Sequence, residues 1–147
     1  MDRPARVLVP LDGSPLADEA LEHALVVFPQ ATVTVLNVIT PIDAGMSEGG
    51  LLEPDDDRRV HARERAEALV ERTARRTSKF DASVEVAIED GDPATVILEF
   101  VDEADVDHVV MGGHGRSDLA ARFLGSVATS VVTRSPVPVT VVRWGCR

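Results

Sequence analysis

Apolar positions along the chain alternate between two patterns, short continuous runs and stripes at helical spacing. Arg6 to Leu11 (RVLVPL) is a β-branched, nearly continuous apolar run, and Asp12, Gly13, Ser14 and Pro15 follow with a turn, an N-cap and an N1 proline. A strand therefore feeds directly into a helix. Leu16, Ala20, Leu21, Ala24, Leu25 and Phe28 then recur at three-to-four spacing until Pro29, which marks a helix with one buried face. Ala31 to Ile39 (ATVTVLNVI) reads as a second strand. Thr40 to Pro54 carries Gly45, Gly49 and Gly50 and no periodicity, and a connection of 15 residues in a small domain is either functional or mobile.

Asp55 to about Ser78 is charged and helix-favouring, with Val60, Ala62, Ala66, Leu69, Val70 and Thr73 as a narrow apolar stripe. That pattern predicts a long, well-solvated surface helix, and the acids Asp55 to Asp57 suit its N-terminal dipole. Ser83 to Ile88 (SVEVAI) alternates as a strand does, after which Gly91, Asp92 and Pro93 repeat the turn, N-cap and N1 signal. The helix they open shares Val96, Ile97, Phe100, Val101 and Ala104 on one face. Asp107 to Met111 (DHVVM) is a fourth strand, and a glycine-rich stretch leads to a helix bearing Val127, Val131 and Val132. Ser135-Pro136 stops that helix before a last strand, Val137 to Arg143 (VPVTVVR).

Five strands and four helices in strict alternation predict an α/β fold: one Rossmann-like domain spanning 1–147, with a five-stranded parallel sheet covered by helices on both faces. Binding crevices in such sheets lie outside the C-terminal strand ends, where strand order reverses. Pro10 to Asp12, Val38 to Pro41, Glu89 to Asp92 and Met111 to Gly115 are placed there.

Composition narrows the function classes. No apolar run reaches the ~18 residues of a membrane span, and no export leader is evident, so a cytoplasmic protein is expected. The lone Cys146 provides neither an intrachain disulfide nor a thiolate metal site. A net charge of −10 argues against general affinity for nucleic acid or anionic lipid. Arg supplies 14 of the 15 basic residues, Lys79 being the exception, and Asp supplies 14 of the 25 acids. Lysine avoidance with an Asp-rich surface fits a salt-adapted, halophilic cytoplasm as well as it fits an Arg-biased genome.

Candidate chemistry concentrates after the fourth strand. Met111 to Thr129 reads MGGHGRSDLAARFLGSVAT, with Gly112, Gly115 and Gly125 spaced by two and nine residues and Ser126 opening a helix. Backbone approach to phosphate oxygens requires residues without Cβ, and a helix N-terminus offers unpaired N–H groups. Arg116 and Arg122 add charge, so the stretch reads as an anion cradle. His114 inside it reads as a turn residue rather than a catalyst, and Ser14 as an N-cap rather than a nucleophile. His23, His61 and His108 lack partners at metal-ligand spacing. There is no Gly-Lys pair for a P-loop, and Asp118 stands where a dinucleotide fingerprint needs its last glycine.

From RVLVPLDGS to VPVTVVR, the chain resembles the universal stress protein (UspA) family, and the complete G-x-x-G, nine residues, G-S pattern resembles its ATP-binding branch. The resemblance implies an adenine nucleotide alpha hydrolase-like fold binding ATP with Mg2+. It implies that Pro10, Leu11 and Asp12 border the nucleotide, with Asp12 near the ribose hydroxyls and Val38 offering backbone groups to the adenine edge. Met111 and Gly112 are implied under the ribose and first phosphate, Gly115 and Arg116 beside the phosphate chain, and Gly125, Ser126 and Val127 at the distal phosphates. The pyrophosphatase relatives of this fold carry Ser-Gly-Gly-x-Asp-Ser after the first strand, whereas this chain has Leu11-Asp12-Gly13-Ser14. Pro138 suits an edge strand, an exposed valine-rich edge invites pairing, and the resemblance implies a homodimer through Val137 to Arg143. The expected function is a nucleotide-regulated stress-response module with slow or no hydrolysis. The alternatives are a nucleotide-independent interaction protein of the same fold and, third, a nucleotidase or phosphotransferase.

Overall fold

The computed structural model describes residues 4–40, 56–114 and 124–143, and within 56–114 it leaves the side chains at 56 and 58 undescribed. The elements run β1 (Arg6–Pro10), α1 (Pro15–Val27), β2 (Thr32–Ile39), α2 (Asp56–Thr77), β3 (Ser83–Asp90), α3 (Pro93–Glu103), β4 (His108–Gly112), α4 (Ser126–Arg134) and β5 (Val139–Val142). All five strands pair in parallel, in the order β3-β2-β1-β4-β5. The sheet grows from β1 toward β3 on one side and toward β5 on the other, so strand order reverses between β1 and β4. Pro10 to Asp12 and Met111 to His114 emerge side by side at that point, as a crevice requires.

Alternation along the strands divides the core into two layers. Val7 and Val9 of β1 and Val33 and Val35 of β2 face α1, where Leu16, Ala20, Leu21 and Ala24 bury against them. Leu8, Leu36, Val109 and Met111 face the opposite way, against Ile97 and Val101 of α3 and Ala128 and Val131 of α4. Helices thus cover both sheet faces. The long helix α2 lies more loosely over the sheet, through Ala62 and Ala66 against Ile39 and through Leu69 at the margin of the α1 layer. Ion pairs fasten it to α1: Arg72 and Arg76 each lie 3.4 Å from Asp18, and Arg76 lies 2.8 Å from Glu22.

Two turn signals act as the sequence predicts. Ser14 Oγ accepts the Ala17 N–H at 3.2 Å to cap α1, and Asp92 accepts the Thr95 N–H at 3.1 Å to cap α3. Several boundaries shift. β3 runs two residues beyond Ile88, because Glu89 and Asp90 pair with Val38 and Ile39. β4 starts at His108, since Asp107 serves the strand start instead, its carboxylate accepting the Ala5 and Arg6 N–H groups at 2.9 Å. β5 occupies only the centre of the expected last strand, at one edge of the sheet.

Candidate functional site

Strand length creates the first part of the site. The β1–β2 ladder ends at Pro10 opposite Leu36, and β2 continues to Ile39. Leu36 O accepts the Leu11 N–H at 2.9 Å on the β1 side, while Ile39 O accepts the Gly91 N–H at 3.0 Å beyond β3. Because backbone groups alternate sides along a strand, Val38 directs its N–H and C=O toward the crevice.

Asp12 stands directly after β1. Its Oδ1 accepts the Ser14 N–H at 2.9 Å across Gly13, whose φ of +86° only glycine adopts easily. The carboxylate is thereby held in place at the crevice. Leu11, which the resemblance sets at the border of the nucleotide, follows Pro10 at the end of β1. Its side chain is buried, its N–H goes to Leu36, and its carbonyl accepts Asn37 Nδ2 at 2.8 Å. Leu11 is part of the floor. Pro10 is half-buried at the end of the β1 ladder.

A cavity of about 340 Å³ opens between these strand ends and α2, lined by Asp12, Asn37, Val38, Ala62, Arg65 and Leu69 among others. That volume lies in the lower range of small-molecule sites, about 300–1,000 Å³. Small residues cause it: Ala62 and Ala66, one turn apart and buried, bring α2 close to Ile39 without filling the space beyond.

The second part lies at the end of β4. The Met111 side chain is buried against the α3/α4 layer, leaving only its backbone for the crevice. At Gly112 an added Cβ would sit 3.1 Å from the Leu16 carbonyl carbon and 3.2 Å from the Ala17 nitrogen. Absence of Cβ there is favoured by the close approach of β4 to α1, whatever else the position does. Gly113, one of the variable positions of the glycine pattern, ties the region together. Its N–H donates to Val142 O at 2.8 Å, and its carbonyl accepts the Gly125 N–H at 2.6 Å. The end of β4 is thereby joined to the start of α4. Gly115, Arg116, Arg122 and the connection after Thr40 lie outside the described residues.

Gly125 is the N-cap of α4 and supplies no side-chain cap; the first intrahelical bond runs from the Thr129 N–H to Gly125 O at 2.9 Å. The N–H groups of Ser126, Val127 and Ala128 precede that bond and receive no side-chain cap from Gly125, and the helix start carries partial positive charge. His114 is buried beside this junction, and its Nε2 has no hydrogen-bond partner among the described residues. An orphaned polar atom and an uncapped helix start, on the crevice side of the sheet, fit a ligand bearing anionic oxygens.

Sequence comparison decides the family: residues 5–143 match the model of the universal stress protein family. The chain belongs to that family. A universal stress protein of Methanocaldococcus jannaschii is 25% identical over 142 residues, covering 94% of this chain and 81% of its own length. The structure of UspA from Lactobacillus plantarum matches with a TM-score of 0.83 at 23% identity, over 97% of this chain and 100% of that one. A universal stress protein in complex with cAMP matches at TM-score 0.71 and 24% identity, over 97% and 99% of the two chains. A family protein from Arabidopsis thaliana with AMP bound matches at 0.66 and 20%, over 95% and 91%. These likenesses show the fold. Among the described residues, no helix is long and apolar enough to cross a membrane.

The sequence pattern assigns no role at the site to Asn37 or Gly113. Asn37 is signalled only as the polar residue inside an apolar strand. Gly113 shows no signal beyond being a glycine, because its partners Val142 and Gly125 are distant in the chain.

Proposed function

We propose that this universal stress protein binds ATP, with Mg2+, as a regulatory ligand in the crevice between β1 and β4, and acts as a homodimer paired through β5. The observation that carries the reading is a juxtaposition. Across the C-terminal ends of β2, β1 and β4 stand, in order, an apolar cavity beside Val38, the Asp12 carboxylate and the uncapped start of α4. A nucleotide matches that order with its base in the cavity, its ribose hydroxyls donating to Asp12 and its phosphates at Ser126 and Val127. The relatives bound to AMP and cAMP support an adenine nucleotide. Gly112, Gly115, Arg116 and Gly125 complete the proposed phosphate path, and β5 at the sheet edge supports the dimer.

One pair of observations favours a second reading, a nucleotide-independent interaction module. Gly112 is already favoured by packing against α1, and Asp12 already holds the turn before it. Neither residue needs a ligand to explain its identity.

The test begins with protein as purified. It is denatured, any released nucleotide is identified by chromatography, and the emptied protein is titrated with Mg-ATP, AMP and cAMP in molar KCl. Near one ATP per chain with micromolar or tighter rebinding supports the proposal. AMP or cAMP as the better ligand revises the nucleotide. No released nucleotide and no binding overturns the reading in favour of the interaction module. Steady-state phosphate release, with Ser126→Ala as control, separates a regulatory ligand from a substrate; release at buffer background is expected, since efficient phosphoryl transfer needs positioned water and metal ligands.

A further inference from the structure

Helix α2 forms the outer wall of the cavity, and its polar groups have unequal commitments. Residues 62, 65, 66, 69 and 72 fall on one helical face at spacings of three, four and seven. Ala62, Ala66 and Leu69 anchor that face, and Arg65 and Arg72 line the cavity with them. Asn37 Nδ2 is bonded to Leu11 O, Asp12 Oδ1 to the Ser14 N–H, and Arg72 to Asp18. Arg65 forms no ion pair with another described residue, although the chain carries 25 acids. An arginine with no carboxylate partner among the described residues therefore borders a slot with Val38, Ile39, Ala62, Ala66 and Leu69 as apolar walls and with Asp12, Asn37 and Arg72 also lining it.

A guanidinium is planar and weakly hydrated, and it stacks readily on aromatic faces. None of the described residues lining the slot is aromatic, so a planar partner for this guanidinium is one that a ligand can supply. We infer that Arg65 is a nucleobase-contacting residue, its guanidinium lying over the base that enters the cavity against Val38 and Ala66. The inference rests on the nucleotide reading above and deepens it. Stacking contributes affinity for any base, because every base presents a π-face. Choice between bases then falls to the backbone groups of Val38.

The test is calorimetric titration of the emptied full-length protein in molar KCl with adenosine, ATP, GTP and inorganic tripolyphosphate. Arg65 is exposed, so its variants should keep the wild-type melting midpoint without ligand. Arg65→Ala should weaken adenosine, ATP and GTP by a common factor of about ten, which is ~1.4 kcal/mol, and leave tripolyphosphate unchanged. Arg65→Tyr should restore most of the loss, and Arg65→Lys should not. Three results overturn the inference: unchanged nucleoside affinity in Arg65→Ala, an equal loss for tripolyphosphate, or full affinity in Arg65→Lys. Each of these requires that wild type binds ATP. Wild type that binds neither adenosine nor ATP refutes the nucleotide reading itself, and Arg65 with it.

Discussion

Gly112 separates a glycine kept for packing from one kept for phosphate. Replacing it by Ala adds one methyl group facing the first turn of α1, 3.1 Å from the Leu16 carbonyl carbon, 3.2 Å from the Ala17 nitrogen and 3.3 Å from Leu16 Cγ. Ordinary carbon contacts begin nearer ~3.5 Å, so α1 or β4 has to retreat by a few tenths of an ångström. Neither is free to do so: Leu16 and Ala17 are buried, and Ser14 caps the same turn. Overpacking of this kind costs about 1–3 kcal/mol, and the stiffer unfolded chain returns about 0.4–1 kcal/mol. The expected net loss is ~1–2 kcal/mol, or roughly 2–4 °C in Tm per kcal/mol for a chain of this size. Gly113→Ala is the internal control. Its Cβ would meet Val141 Cγ1 at 3.2 Å and Arg143 Cγ and Leu124 Cδ2 at 3.4 Å, side-chain atoms rather than the backbone of a capped helix turn. Its loss should be smaller than that of Gly112→Ala. Urea denaturation of nucleotide-free protein reads both variants by midpoint and slope. Wild-type stability in Gly112→Ala, or a larger loss in Gly113→Ala, would refute the packing account and return Gly112 to a purely ligand-driven role.

Gly13 calls for a different substitution effect. Its φ is +86° and an added Cβ would touch nothing within 4 Å, so Gly13→Ala should cost only the left-handed backbone penalty, ~1–2 kcal/mol, with Gly13→Asn costing less; equal denaturation midpoints for wild type and Ala would disprove it. His108 carries a pH dependence. Burial, then the neighbouring His23, lowers its pKa, and its Nε2 lies 2.7 Å from Thr140 Oγ1. The unfolded chain therefore binds the proton more readily, so stability should fall as pH drops through ~6.5 toward the lowered folded-state value and level off below it. Urea midpoints across that range in wild type and His108→Gln check this; an unchanged slope in the variant would remove His108 as its source.

What local sequence reveals here is limited to what a few neighbouring residues decide. Asp12-Gly13-Ser14-Pro15 and Gly91-Asp92-Pro93 announce their helix starts because turn, cap and first helical residue are adjacent, and both caps form. The central strands β1 and β4 are legible because parallel strands buried on both faces are apolar almost throughout, and β3 because it alternates. Where burial ends, so does the signal: Glu89 and Asp90 belong to β3 only through pairing with the overhanging end of β2. The candidate site divides the same way. The glycines at 112 and 125 are visible in the chain, but one reason for Gly112 is that α1 crosses its strand, which depends on β1 and β4 being neighbours. Gly113 gains its role from Val142 and Gly125. Arg65 reads as one more charge on a solvated helix until Ala62 and Ala66 draw that helix over the end of β2. In each case the residue is local and its task is long-range. A single strand order, β3-β2-β1-β4-β5, assigns those tasks by deciding which loop ends share the crevice.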